Sequence, residues 1–339
     1  MPEITQENTA TTNTASLWTT APVSGTPPRP TEVRSDAVLL FNAAAIPVNS
    51  MPSPSSDTKN DPLARRLDEI SAHMPSVAQT ARFYGVLLPL VREDAANIQP
   101  IALAPEVART KLQQGRFLLQ DLDVEIDAEE TAGRLVRLAQ AAESAGENIN
   151  ALDLQVWLDR HRSDLGVIMQ NVLEDGGGML ADAAERMGLD AAVCRALAQN
   201  ALKPVMRAWG RQLAPLAEGV PWSRGVCFIC GALPVFGELQ GNSQALHLRC
   251  GLCGGDWEYS RLACMFCGTD DHRKRDYLFV ENEHEKAHIE ACMECNTYIK
   301  VIPAFSPTPA AMLPVEDLAT LHLDIIAAEK GYRRTSSAA

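Results

Sequence analysis

The stretches Cys227-Phe-Ile-Cys-Gly-Ala-Leu-Pro234, Leu248-Arg-Cys-Gly-Leu-Cys-Gly-Gly-Asp-Trp257, Cys264-Met-Phe-Cys-Gly268 and Cys292-Met-Glu-Cys-Asn-Thr-Tyr-Ile-Lys300 decide how this chain is read. Eight of its nine cysteines fall here, all in C-x-x-C pairs, and only Cys194 stands apart, in an Ala-rich segment. A metal knuckle draws two thiolates from one tight turn, and a residue that tolerates positive φ just after the second cysteine closes that turn. Gly231, Gly254 and Gly268 fill this position in three pairs, and Asn296 fills it in the fourth. Cys194 reads as a small buried apolar residue.

Spacing pairs the knuckles. Nineteen residues separate Cys230 from Cys250, and twenty-four separate Cys267 from Cys292. Either gap accommodates a β-hairpin that returns to its first knuckle, as in ribbon and rubredoxin-like sites. The ten residues between Cys253 and Cys264 are a linker that can also continue a strand. One metal site is therefore expected at Cys227, Cys230, Cys250 and Cys253, and a second at Cys264, Cys267, Cys292 and Cys295. An interleaved arrangement, first pair with third and second with fourth, satisfies the same count. Tetrahedral cysteine-only coordination suits zinc and rubredoxin-type iron alike, and it leaves no open position for a substrate. The C-x2-C-x2-C-x3-C run of a bacterial ferredoxin is absent.

Short strand-like runs surround these pairs: Leu246-His-Leu248, Trp257-Glu-Tyr-Ser260, Tyr277-Leu-Phe-Val280 and Tyr298-Ile-Lys-Val-Ile302. They are too brief and too few to hold a conventional core, so metal is expected to hold them. His284-Glu-Lys-Ala-His288 matches H-E-x-x-H in form. Zinc-protease chemistry needs both histidines on one helical face and an open site. Between two knuckles, flanked by Glu281, Asn282 and Glu283, the match reads as a charged hairpin turn. His247 and His272 read as strand or loop residues, because the cysteines already complete both sites.

Upstream, residues 61–217 carry helical periodicity, plainest in Thr131–Ala142, with further helices expected near 63–73, 76–92, 104–119, 151–174, 178–187, 190–201 and 204–216. Asp127 followed by Glu130 resembles a capping box, and Pro62, Pro75, Pro105 and Pro204 sit where a first helical turn tolerates a missing N–H. Gly176-Gly-Gly178 lacks the following Gly-Lys-Ser/Thr of a phosphate loop and reads as a hinge or helix stop. Residues 1–60, rich in Thr, Ser, Pro, Asn and Ala, bury too little apolar surface to offset chain entropy and are expected to be mostly disordered, with Val38–Ile46 as a short apolar run. Downstream, Pro314 to Tyr332 reads as one more amphipathic helix.

The fold expected is thus α+β. A helical domain over 61–217 is followed by two rubredoxin-like or zinc-ribbon β modules over 218–260 and 261–303, then by a C-terminal helix and tail over 304–339. At about 150 residues per domain, the 339 residues suggest two domains plus a remainder.

Charge limits the partners. The chain carries a formal −13, from 30 Lys+Arg against 43 Asp+Glu, and residues 218–303 alone hold 8 Lys+Arg against 12 Asp+Glu. Eight thiolates on two divalent ions would add about −4 by charge counting. Nucleic-acid affinity rests on Lys and Arg displacing counterions, so a protein partner fits better. No stretch approaches the ~20 apolar residues of a membrane span. The N-terminus, with Glu3 and Glu7, lacks the basic start of a signal peptide, so the chain is expected in the cytoplasm.

The order of the four pairs, the Trp after the second and the Tyr-Ile-Lys after the fourth resemble the FdhE family, formate dehydrogenase accessory (formation) proteins. The likeness covers about residues 60–330. Where the family usually has proline after its first cysteine, this chain has Phe228. The resemblance implies a cytoplasmic, non-enzymatic protein needed for active respiratory formate dehydrogenase. Such a protein contacts the catalytic subunit before export and carries rubredoxin-like metal centres associated with iron. The eight paired cysteines match the family's ligands, and no catalytic residue carries over. Trp222, Phe228 and Trp257 are candidates either for a client-docking face or for packing on the helices and knuckles. A rubredoxin-like electron carrier or thiol-redox protein is the rival reading.

Overall fold

The computed structural model describes residues 61–92, 98–122, 124–147, 149–174, 178–280 and 287–334. The expectations for residues 1–60, Gly176 and Gly177, and the strand connection at 281–286 therefore lie outside the described residues.

Eight helices precede the first strand among the described residues: α1 (Pro62–His73), α2 (Ala78–Arg92), α3 (Pro105–Gln113), α4 (Ala128–Ser144), α5 (Ala151–Arg160), α6 (Leu165–Glu174), α7 (Gly178–Arg186) and α8 (Ala191–Leu213). Side chains cap several of them. Asp61, Asp127, Asn150 and Asp190 each accept a hydrogen bond from a first-turn N–H, Asp127 from that of Glu130 at 2.8 Å. Pro62 and Pro105 open α1 and α3, and Pro75 opens a 3₁₀ turn before α2.

Pro204 behaves otherwise. The two helices expected at 190–201 and 204–216 are one, and Pro204 lies inside α8, buried. The packing of nearly the whole helix outweighs the backbone hydrogen bond that proline removes. The helix expected over 104–119 stops at Gln113, where Gly115, at φ +69°, lets the Arg116 N–H turn back to the Lys111 carbonyl, and the backbone beyond is used elsewhere. Leu118 N–H donates to the Phe228 carbonyl at 2.8 Å and Leu119 N–H to that of Ile229 at 2.9 Å. The 151–174 helix breaks at His161, whose N–H still bonds back into α5 before a 3₁₀ turn over Arg162–Asp164.

The strands are β1 (Phe236–Gln240), β2 (Ala245–Arg249), β3 (Asp256–Glu258), β4 (Arg275–Leu278), β5 (His288–Cys292), β6 (Thr297–Ala304) and β7 (Arg333–Arg334). They join into one sheet in the order β3-β2-β1-β6-β5-β4, with β7 beside β6. A parallel pairing of Gly237–Gln240 with Val301–Ala304 fuses the two knuckle regions. The expectation of strands too brief and too few for a conventional core thus gives way to a sheet in which β5 is buried throughout and β6 over its first five residues. The single C-terminal helix is two, α9 (Leu313–Ala319) and α10 (Leu321–Glu329), parted at Thr320.

Three cores result. The helical core takes Leu63, Leu135, Leu154 and Leu180 with the first half of α8, from Val193 to Leu202, and includes the fully buried Cys194. A second core takes the other half of α8 (Val205, Met206, Trp209, Leu213) with the first two knuckles and Met265. Packing α10 on β5 and β6 makes the third, around Ile289, Tyr298 and Leu323.

Beside the third core lies a buried charge cluster. Lys300 Nζ reaches Asp324 and Asp317 at 2.6 Å each, Tyr298 donates to Asp324 at 2.7 Å, and Arg334 reaches Asp317 at 2.7 Å. Burial would raise the Asp317 carboxyl, but Arg334 and Lys300 outweigh it and hold it well below the usual carboxylate range. Lys300→Ala would remove the cation between the two carboxylates, leaving Asp324 the Tyr298 hydroxyl and Asp317 the Arg334 guanidinium, with an expected loss of about 3–5 kcal/mol in chemical denaturation. In the helical part, burial beside Asp190 raises the Glu147 carboxyl from 4.5 to about 7. The native state then holds a proton that the unfolded chain has released, so stability falls as pH rises from 4.5 to 7. Glu147→Gln is expected to flatten that slope, read as melting temperature against pH.

Candidate metal centres

Three of the knuckles are turns closed by their own backbone. Gly231 N–H donates to the Cys227 carbonyl at 2.9 Å, Gly254 N–H to that of Cys250 at 3.2 Å, and Gly268 N–H to that of Cys264 at 2.8 Å. All three glycines have φ near +77°, +80° and +76°, and Asn296 has +55°, so the residues singled out after each pair adopt the left-handed backbone expected of them. N–H groups inside the turns point back at sulfur, Ile229 to Cys227 Sγ and Phe266 to Cys264 Sγ, both at 3.4 Å.

Hairpins bring the turns together. Between Cys230 and Cys250 runs the β1–β2 hairpin, and between Cys267 and Cys292 run the paired strands β4 and β5. The structure gathers Cys227, Cys230, Cys250 and Cys253 in one set and Cys264, Cys267, Cys292 and Cys295 in another, all four sulfurs of each within 4.8 Å. Adjacent knuckles are joined, not interleaved ones. In the first set Cys227 Sγ lies 3.5 Å from Cys253 Sγ, and Cys230 Sγ 3.5 Å from Cys250 Sγ. In the second, Cys264 to Cys295 is 3.8 Å and Cys267 to Cys292 is 3.7 Å. Four sulfurs at the ~2.3 Å zinc–thiolate distance in a tetrahedron stand about 3.8 Å apart. Both sets fit a tetrahedral dication of zinc or ferrous iron.

Without a cation, sulfurs this close cannot all be thiolates. Hydrogen bonds from Cys264 foremost, and from Thr297, pull Cys295 down to about 4, while the same contact and burial push Cys264 far up. A central dication removes that conflict.

The surroundings of the two sets differ. The first is buried at all four cysteines, under α8. A Cβ at Gly210 of α8 would overlap the Cys253 carbonyl oxygen, and one at Gly225 would overlap that of Met265. Two cations of α8 come near: Lys203 and Arg207, lowered to about 7 and about 10 chiefly by burial, feel the Cys250 thiolate acting in the opposite sense. In the second set Cys264 and Cys292 are buried, Cys295 is half-buried and Cys267 is exposed.

Trp222, Phe228 and Trp257 do not form an outward face. Phe228 and Trp257 are buried in the core shared with α8, and the Trp222 and Trp257 indoles donate to the Val226 and Arg224 carbonyls. His288 belongs to β5, buried and stacked 4.2 Å from Tyr277, and a strand cannot set the H-E-x-x-H histidines on a helical face. His247 lies in β2 with Nδ1 2.6 Å from Asp256. Sequence reasoning overlooked Lys203, Arg207 and the buried Glu238–Arg249 pair (2.5 Å), because lone charges in apolar runs give no local signal of a partner.

Gly210→Ala is expected to force α8 off the first knuckle, costing about 1–3 kcal/mol or more and loosening that set. Thermal melting and thiol accessibility of Cys253 would read both effects.

Residues 262–339 match the family model described as FdhE, C-terminal domain. Over 112 residues the chain is 38% identical to an FdhE homolog of Stutzerimonas stutzeri, covering 32% of this chain and 36% of that one. Over 114 residues it is 33% identical to one of Aquifex aeolicus, covering 33% and 40%. The chain thus spans two fifths or less of the length of these curated relatives. In fold it resembles the crystal structure of the FdhE protein from Pseudomonas aeruginosa, with a TM-score of 0.50 and 23% identity over 81% of this chain and 92% of that one. The resemblance read from the four knuckles holds: residues 262–339 match the FdhE C-terminal domain model, and the chain is similar to FdhE proteins in sequence over about a third of its length and to one of them in fold.

Proposed function

We propose that this chain is a cytoplasmic accessory protein in the maturation of a respiratory formate dehydrogenase. It binds the catalytic subunit through a platform braced by two metal centres, with Cys227, Cys230, Cys250 and Cys253 as ligands of one and Cys264, Cys267, Cys292 and Cys295 as ligands of the other. The observation that carries this reading is the closure of eight sulfurs into two four-thiol sets. A four-thiolate site leaves no coordination position for substrate, so the metal, zinc or iron, braces and does not turn over. The family likeness supplies the client, and the acidic composition argues against nucleic acid. No helix among the described residues is long and apolar enough to cross a membrane.

The exposure of Cys267 favours a second reading, a rubredoxin-like electron carrier or thiol-redox protein. Potentiometry separates the two, because a redox-silent zinc protein carries no electrons.

Anaerobic purification from cells that make formate dehydrogenase, with metal quantification and mass spectrometry, tests the proposal. Two ions per chain and the catalytic subunit among co-purifying proteins are expected. Cells lacking the chain are expected to lose formate dehydrogenase activity while still making the enzyme's polypeptide. A metal-free chain that remains folded and competent would overturn it.

A further inference from the structure

We infer that the two centres divide their labour: the first is a permanent brace, and the second is an exchangeable site that takes up and releases a thiophilic dication while the chain stays folded, with Cys267 as the ligand that opens. This rests on the reading of both four-cysteine sets as metal sites and goes beyond it.

The first set is sealed on several sides. Phe228, Ile229 and Trp257 pack around it in one core with Met206 and Trp209 of α8. Backbone hydrogen bonds from Leu118 and Leu119 tie its first knuckle to the helical part. On α8 the contact at Gly210 is too close for even a methyl group. A small molecule therefore reaches these sulfurs only if α8 separates from the knuckles, which is a global opening.

The second set is anchored on one side and open on the other. Cys292 ends β5 and Cys295 sits in the short turn into β6, so the ladder between those strands, with Cys292 opposite Thr297, positions both sulfurs before any metal arrives. The third core of Ile289, Tyr298 and Leu323 holds that ladder from the helical side. Cys264 is tethered inside, its carbonyl accepting from the Tyr259 hydroxyl at 3.2 Å and its neighbour Met265 buried. Cys267 alone of the eight is exposed, and Gly268 beside it is exposed too, with nothing within 4 Å of a Cβ placed there.

Exchange then needs local movement only. Cys267 Sγ leaves the ion and takes a proton from water, and an incoming donor such as a chelator or a free thiol takes its place on the ion. Further donors then displace the ion from Cys264, Cys292 and Cys295, which take protons from water and stay preformed, and the next dication returns these protons and that of Cys267 to water as it binds.

The test uses the full chain loaded with zinc. With excess chelator, released zinc is followed with a colorimetric dye alongside far-UV circular dichroism, and iodoacetamide labelling is mapped by mass spectrometry. One equivalent is expected to leave at least about tenfold faster than the other, as local and global openings differ, with the helical signal unchanged. Labelling should start at Cys267 and spread to Cys264, Cys292 and Cys295, while Cys194 and the first set stay unmodified. Cys267→Ser should lose only the fast equivalent and keep its melting curve, whereas Cys253→Ser should lower the melting temperature. Loss of both ions at one rate, or labelling of Cys227, Cys230, Cys250 or Cys253 as early as Cys267, would overturn the division of labour and leave the two-centre reading intact. A folded chain that binds no zinc would overturn both.

Discussion

Four sulfurs gathered within 4.8 Å inside a protein meet two penalties at once, desolvation and mutual repulsion as thiolates, and a dication at their centre removes both. That constraint recurs twice in this chain and organises what lies around it. The knuckle turns must be tight, which sets glycine or asparagine after every second cysteine. Hairpins must return to their starting turns, which sets strand lengths. Neither requirement fills an interior, so apolar burial has to come from elsewhere.

Helix α8 supplies it. Its first half belongs to the helical core and its second half to the core around the first two knuckles, so one element is shared by two interiors. Separating the helices from the sheet would expose Met206, Trp209 and Leu213 together with the aromatic cover of the first four sulfurs. Burial of such side chains is worth roughly 1.5–3 kcal/mol each. Pro204 lies beside the point where α8 passes from one core to the other.

Much of this was legible in the sequence, and the exceptions share a cause. The knuckles, their left-handed residues, the cap at Asp127 and the starts of α1 and α3 all follow from interactions within a few residues, which a sequence displays directly. Pro204 inside α8 and the break at Thr320 do not. In each, a distant partner overrides local preference: packing of α8, and the Lys300 cluster under α9 and α10. The fusion of the two β regions was equally hidden. A parallel register between β1 and β6, some sixty residues apart, leaves no local trace beyond apolar runs that fit a buried strand on either side. For the same reason Trp257 could be read from sequence as an outward aromatic, although the fold turns it inward.

The fusion also changes what the metal centres can do for the fold. Two isolated ribbons would each depend on their own ion, since neither buries enough surface to stand alone. Once β1 pairs with β6, the second hairpin of β4 and β5 is held by β6 and by α10, independently of its sulfurs. The second centre is thereby relieved of a purely structural duty, and its outer edge at Cys267 can face solvent without endangering the sheet. The first centre has no such relief, because its knuckles are themselves part of the core that fastens α8. Burial of one set and exposure of the other therefore follow from where each lies on a single sheet, beneath the shared helix or away from it.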